Sequence, residues 1–158
     1  MKIDVRNSQH LVPIHRGKIK RIAERTLKYF RLGKEVCLNI LFIDDLQISR
    51  LHKRFLGKVG PTDVLAFSMQ EGKALSGDPF LLGDIAISTE AALRHAKRFR
   101  STVEREIALY VIHGILHLLG YEDHEKRSRL FMRQREKELL IHCQNGGSRK
   151  ASITPSRA

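Results

Sequence analysis

The segment from His113 to His124, HGILHLLGYEDH, constrains the fold of this chain more than any other segment. His113 and His117 are four residues apart in an apolar run that predicts a helix. Residues at this spacing lie on one helix face, so the two imidazoles can bind one metal ion. Gly120 ends the predicted helix, and the chain then turns back with His124 as the predicted third ligand. Three protein ligands and one open position are typical of a catalytic zinc site.

Other interpretations of this segment stay open. A histidine on an apolar helix is often an ordinary core residue, and His124 lies seven residues after His117, one more than in the metzincin pattern. Asp123 is the alternative third ligand, because a carboxylate also binds zinc. Zincin peptidases carry their general base, a Glu, directly after the first His. That position is Gly114 here, so a small residue is predicted to let another element pack closely against the helix.

The helix that carries the histidine pair has a predicted start and a predicted buried face. Ser101-Thr-Val-Glu104 fits a capping box. Glu106 lies on the same stripe as the histidines, where it either orients a ligand imidazole through a hydrogen bond or is an ordinary surface acid. The apolar residues at helical spacing form the predicted buried face: Val103, Ile107, Val111, Ile115 and Leu118.

Hydrophobic periodicity elsewhere predicts an α+β fold, with about four strands in a small mixed sheet packed against about five helices. One of these helices is the zincin-like metal-site helix. The predicted strands are residues 2–7, 35–42, 63–69 and 82–88, and a hairpin-like excursion covers 70–78. The other predicted helices are 15–30, 44–55, 90–98 and 125–141.

The length of 158 residues suggests one domain, predicted to span residues 1–142, followed by a disordered basic tail at 143–158. Cys37 is predicted to be a buried free thiol in a strand, and Cys143 a thiol of the tail. The chain lacks an apolar run long enough for a membrane helix, and its first ten residues, MKIDVRNSQH, lack the apolar core of a secretory signal. The predicted location is the cytoplasm.

The formal charge of +12 favours a polyanionic partner. Residues 142–158 contribute +3 of this charge, which leaves +9 for residues 1–141. The positive charge is therefore not confined to the tail, and residues 1–141 are basic in their own right. This favours a nucleic-acid partner.

Three motifs in order resemble those of the YbeY family of ribosomal RNA maturation endoribonucleases. They are Pro61-Thr-Asp-Val-Leu-Ala-Phe67, Gly83-Asp-Ile-Ala-Ile-Ser88, and His113-Gly-x-Leu-His117-Leu-x-Gly-Tyr followed by an acid and His124. The resemblance implies a metal-dependent endoribonuclease that is selective for single-stranded RNA and acts in ribosomal RNA maturation and ribosome quality control. It further implies the ribosome or a ribosomal protein as partner, and one Zn²⁺ held by His113, His117 and His124.

The chain departs from the family pattern at two positions. One additional residue separates Gly-Tyr from the last histidine, and Leu56 occupies a position where the family commonly has Arg. Arg54 is predicted to contact the scissile phosphate instead, with Lys53 and Lys58 as alternatives.

Three further polar residues in the motifs have two interpretations each. Thr62 and Asp63 either line the cleft or form a turn and a strand start. Asp84 is predicted to be a hydrogen-bonding residue at a strand end rather than a catalyst.

Two rival functions remain at this point. One is a basic ribosome assembly factor with a structural metal, which binds ribosomal RNA or a ribosomal protein without cutting. The other is a metallopeptidase, which the missing base at Gly114 disfavours.

Overall fold

The computed structural model describes residues 1–69 and 80–146. These residues form four strands and five helices, in agreement with the predicted α+β class. The strands are β1 Lys2–Asn7, β2 Val36–Ile43, β3 Val64–Ser68 and β4 Phe80–Ser88. The helices are α1 Arg16–Tyr29, α2 Asp45–Leu56, α3 Thr89–Phe99, α4 Val103–Leu118 and α5 Lys126–Gln144. The predicted excursion at 70–78 and most of the predicted tail lie outside the described residues.

The four strands form one mixed sheet in the order β1-β2-β4-β3. β1 pairs in parallel with β2, and β2 pairs in parallel with β4. β3 pairs antiparallel with β4 and lies at the edge of the sheet. The small mixed sheet predicted from the sequence is therefore confirmed.

The main core lies between the sheet and the helices α1 and α4. Its fully buried members include Leu27 of α1, Ile40 of β2 and Val111 of α4. A smaller cluster around Ile48 packs α2 against the sheet, and another around Ile112 packs α5 against α4. The sheet and α5 thus hold α4 from two sides and fix the position of the histidine stripe.

Gly114 brings α4 close to the sheet, as its small size predicted. A Cβ atom at this position would lie 2.7 Å from Cγ2 and 2.9 Å from Cδ1 of Ile85 on β4. Gly83 makes a second close approach, because its Cβ would lie 2.7 Å from Cδ2 of Leu118 and 2.3 Å from the main-chain oxygen of Phe67. Glycine at these positions lets α4 lie directly on β4.

The predicted capping box of α4 is wrong by one residue. Thr102 is the N-cap, and its side chain accepts a hydrogen bond from the main-chain N–H of Arg105 at 3.2 Å. Ser101 is held by the preceding helix instead, because its N–H donates to the carbonyl of Ala96. The Ser101 hydroxyl is buried and has no hydrogen-bond partner within the described part of the chain.

Helix α5 continues past the predicted domain boundary at residue 142. Helix α5 continues to Gln144, and Cys143 is 7% exposed rather than part of a tail. The Cys143 thiol lies 3.7 Å from the Thr26 hydroxyl, and Arg25 donates to the Cys143 carbonyl. The helix therefore ends three residues beyond its predicted end at residue 141, and its last turn contacts α1. Cys37 is a free thiol in β2, as predicted, but it is only half-buried.

No helix among residues 1–69 and 80–146 is long and apolar enough to cross a membrane.

Candidate metal centre

The two histidines of α4 direct their Nε2 atoms at each other, 3.0 Å apart. Oδ2 of Asp123 lies 3.8 Å from Nε2 of His113 and 3.7 Å from Nε2 of His117. The three ligand atoms all lie within 4.8 Å of one another. Two zinc–nitrogen bonds of about 2.0–2.1 Å at a tetrahedral angle place their nitrogens about 3.3 Å apart. Both the donor types and the separations therefore fit a small divalent cation such as Zn²⁺.

A tight turn after α4 brings Asp123 to this position. Gly120 has a left-handed backbone (φ +91°), and its N–H donates to the carbonyl of His117. The N–H of Tyr121 donates to the carbonyl of Leu116, which completes the hydrogen-bond pattern of a Schellman motif. The chain reverses within two residues, so residues 121–123 run back past the histidines. The predicted helix stop at Gly120 is confirmed.

Each histidine is oriented by a hydrogen bond at its other ring nitrogen. Nδ1 of His117 lies 3.0 Å from the main-chain oxygen of Tyr121. Nδ1 of His113 lies 2.5 Å from Oε1 of Glu136 on α5. Both partners accept hydrogen bonds, so each Nδ1 donates its proton and each Nε2 keeps its lone pair for a metal.

Glu136 belongs to the candidate site, although the sequence pattern did not predict it. Glu106 was the predicted orienting acid, but the described hydrogen bonds of the histidines go to Glu136 and Tyr121. Glu106 is also not a surface acid, because it is only 6% exposed. One signal in the sequence points to Glu136: it interrupts the apolar stripe of α5 formed by Met132, Leu139, Leu140 and Cys143.

The two histidines differ in their pKa shifts. Burial disfavours the charged form of His113, but the hydrogen bond that it donates to Glu136 and the charges of the nearby carboxylates outweigh burial and raise its pKa. Burial lowers the pKa of His117, and the positive charge of His113 lowers it further. His117 is therefore the more readily deprotonated of the pair, which favours metal binding near neutral pH.

The site is open to solvent on one side. The side chains of His113, His117 and Asp123 are 24%, 28% and 35% exposed. Closed structural zinc sites are saturated by four protein ligands, whereas catalytic sites keep a position for water or substrate. The exposure of these three candidate ligands is typical of a catalytic site.

Asp63 extends the acidic side of the site. Its negative charge contributes to the raised pKa of His113. One carboxylate oxygen accepts hydrogen bonds from the Thr62 hydroxyl at 3.4 Å and from the Val64 N–H at 2.8 Å. Asp63 thus directly precedes β3, as predicted for a turn and strand start, and its role in lining the cleft stays a prediction. Asp84 accepts a hydrogen bond from Asn39 within the sheet, as a structural residue does.

Two predicted site residues lie outside the cluster of ligand atoms. His124 is not a member of that cluster, and its main-chain carbonyl accepts a hydrogen bond from Arg129 at 2.9 Å. Arg54 is exposed, and its guanidinium carbon lies 5.5 Å from the centre of the Phe55 ring. The role of His124 as third ligand and the contact of Arg54 with phosphate stay predictions.

Fold and site together define a class: a mixed α+β domain with a His-x3-His metal-site helix lying on the sheet. Comparison with known proteins makes this specific. The family model described as Endoribonuclease YbeY matches residues 3–144, and the chain belongs to this family. The predicted family is therefore confirmed.

Individual relatives agree with this assignment. The Endoribonuclease YbeY of Pelotomaculum thermopropionicum is 40% identical over 126 residues, which cover 78% of this chain and 83% of that protein. The protein of the same name from Syntrophus aciditrophicus is 38% identical over 146 residues, which cover 90% of this chain and 91% of that protein. A solution structure of a Thermotoga maritima protein shares the fold at 23% identity, with a TM-score of 0.58 and 99% coverage of both chains.

Proposed function

We propose that this protein is a metal-dependent endoribonuclease that cleaves single-stranded RNA. The observation that carries this proposal is the convergence of His113, His117 and Asp123 on one solvent-accessible point. Zn²⁺ bound there would supply a Lewis acid and lower the pKa of water toward neutrality. The relatives named Endoribonuclease YbeY support RNA as the substrate.

The residues of this chain have distinct tasks in the proposed reaction. Glu136 and the Tyr121 carbonyl hold the Nδ1 protons of His113 and His117, which keeps both Nε2 atoms available as ligands. Asp123 contributes a negative charge, and we propose it as the third ligand in place of His124. Arg54 is the proposed cation for the scissile phosphate.

The proposed substrate is ribosomal RNA, and the proposed location is the cytoplasm. The +9 charge of residues 1–141 supports a polyanionic substrate. A role in ribosome quality control and contact with the ribosome or a ribosomal protein complete the proposal, and both follow from the family resemblance.

The peptidase alternative is disfavoured by packing as well as by sequence. The base of zincin peptidases would have to stand at Gly114, where even a Cβ atom would lie 2.7 Å from Ile85. A side chain at this position would require Ile85 or α4 to shift.

The decisive experiment compares cleavage of a labelled single-stranded RNA by the wild type and by His117→Ala, purified identically. His15→Ala is the matched control, because His15 is exposed and makes no side-chain cap hydrogen bond at α1. We expect the wild type and the control to cut, and we expect His117→Ala and chelator-treated wild type to be inactive. Equal cutting by wild type and His117→Ala would refute the proposal.

Two further readouts separate the alternatives. A 5′-phosphate on the product indicates attack by water, whereas a cyclic phosphate indicates attack by the 2′-hydroxyl of the RNA. If the wild type binds RNA without shortening it and unfolds when the metal is removed, the assembly-factor hypothesis replaces the enzyme.

A further inference from the structure

The end of α2 and the loop after it expose three large apolar side chains. Phe55 is 57% exposed, Leu56 is 52% exposed and Val59 is 89% exposed. We name this group the Phe55 surface. A cluster of exposed apolar side chains within five residues commonly marks an interaction site.

The surroundings of the Phe55 surface are basic. Residues 46–62 contain four cationic residues and no acid. The cations are Arg50, Lys53, Arg54 and Lys58, and none of them forms an ion pair within the part of the chain that the structure describes. Their charges are therefore available to an anionic partner. Two copies of this surface would repel each other, which disfavours self-association.

The Phe55 ring is held in place before any partner binds. Phe67 of β3 packs edge-on against it, with ring centres 5.2 Å apart. The loop after α2 is fixed to the helix by Nδ1 of His52, which lies 2.9 Å from the Gly60 carbonyl, and by Gly57 as a left-handed C-cap. An aromatic side chain that is already ordered loses little conformational entropy on binding.

The Phe55 surface adjoins the metal centre. The loop that follows it leads into β3, whose Phe67 ring contacts the Phe55 ring. Phe67 and Leu118 are both close to Gly83 of β4. A Cβ atom on Gly83 would lie 2.3 Å from the main-chain oxygen of Phe67 and 2.7 Å from Cδ2 of Leu118. Leu118 directly follows His117 on α4. A strand of RNA bound at the metal centre therefore has this surface within reach.

We propose that Phe55 stacks on an unpaired base of the RNA, while Arg54 and Lys58 neutralise the adjoining phosphates. Base stacking on aromatic side chains beside a basic groove is how proteins bind single-stranded nucleic acid without reading its sequence. Bases in a duplex are stacked on each other, so Phe55 selects single strands. The inference rests on RNA being the substrate and concerns how that substrate is held.

The absence of tryptophan from the chain allows a direct test. Phe55→Trp introduces one fluorophore at the proposed contact. Phe99→Trp is the matched control, because Phe99 on α3 is 62% exposed and has the Arg98 guanidinium 5.4 Å from its ring centre. Both variants carry His117→Ala, so the RNA stays uncut and the test does not depend on cleavage.

We expect a single-stranded oligoribonucleotide to quench Trp at position 55 and not at position 99. Quenching should be lost with an abasic strand of the same length and with a duplex of the same sequence. Phe55→Ala should weaken RNA binding by about fivefold or more, the range expected for one stacked base, whereas Phe99→Ala should change it less than twofold.

Three results would overturn the inference: equal quenching at both positions, equal quenching by normal and abasic strands, or a protein-concentration-dependent blue shift at position 55 without RNA. The last would identify the surface as an interface between copies of the chain. Cleavage by the wild type is measured in a separate experiment. If the wild type cleaves RNA but RNA does not quench Trp at position 55, only the stacking role of Phe55 is refuted.

Discussion

Replacing Glu136 by Gln isolates the effect of its charge on the metal centre. Glu136 Oε1 lies 2.5 Å from Nδ1 of His113, and the two side chains are 16% and 24% exposed. Gln has the same size and keeps an oxygen that can accept the hydrogen bond. Any change in metal affinity therefore reports the carboxylate charge rather than lost packing.

The expected loss follows from the two kinds of hydrogen bond. A hydrogen bond to a charged group contributes about 1.5–3 kcal/mol, and a neutral one contributes about 0.5–1.5 kcal/mol. The difference of about 1 kcal/mol corresponds to about a fivefold loss of Zn²⁺ affinity in Glu136→Gln. Glu136→Ala removes the hydrogen bond altogether, and we expect a loss of about 10–100-fold, as for other partners of metal-binding histidines.

Proton competition opposes this loss at lower pH. Burial disfavours the charged form of His113, but Glu136 and the nearby carboxylates raise its pKa overall. Glu136→Gln lowers that pKa, so fewer protons compete with the metal for the ring. The loss of Zn²⁺ affinity in Glu136→Gln should therefore be largest above the pKa of His113. It should become smaller as the pH falls through that pKa.

Titration with a chromogenic chelator across neutral and mildly alkaline pH measures both effects. Glu138→Gln is the control, since Glu138 lies on the same helix, is 44% exposed and pairs with Arg135. Unchanged Zn²⁺ affinity of Glu136→Gln at alkaline pH, or an equal loss in the control, would show that the charge of Glu136 does not support the site.

Three further predictions concern packing, acid stability and the third ligand. Gly114→Ala should reduce the free energy of unfolding, measured in urea, by about 1 kcal/mol, because overpacking against Ile85 outweighs the better helix propensity of alanine. In the Ile85→Ala background, the same substitution should cause no such reduction. Burial raises the pKa of Asp45, but hydrogen bonds from a guanidinium and a hydroxyl lower it overall. Its ionised form therefore stabilises the fold above the ordinary carboxyl pKa, and this contribution is lost as pH falls through the lowered value. Wild type should accordingly lose stability in acid more steeply than Asp45→Asn, as measured by urea unfolding at decreasing pH. Asp123→Ala should weaken Zn²⁺ binding about tenfold or more and His124→Ala less than threefold, whereas the opposite order would make His124 the ligand.

Secondary structure was predictable here because burial follows local periodicity. Alternating apolar residues identify β2, and the apolar stripe of α4 matches the face that packs on the sheet. Helix ends were less predictable. Whether Ser101 or Thr102 caps α4 depends on the hydrogen bond from Ser101 to the carbonyl of Ala96, which belongs to the preceding helix.

The histidine pair was predictable from local helical spacing, whereas Glu136 on α5, the hydrogen-bond partner of His113, was not. Residues four apart on one helix must be neighbours, so His113 and His117 follow from spacing alone. Glu136 lies 23 residues from His113, and its position depends on how α5 crosses α4. A helical pattern gives the face that packs, but not which residue of that face meets which residue of the neighbouring helix.

The position of Asp123, the proposed third ligand, depends on the main-chain path after α4 rather than on the spacing of the histidines. The turn after α4 is closed by main-chain hydrogen bonds at Gly120 and Tyr121, so its path does not depend on the side chains that follow. That path brings the sixth residue after His117 to the ligand cluster, and in this chain the sixth residue is Asp123. Two imidazoles and a carboxylate form a harder and more negative donor set than three imidazoles. Such a set binds oxygen-preferring cations better. With Asp123 as the proposed third ligand, we expect the turn as well as the histidine pair to influence which metal the site selects.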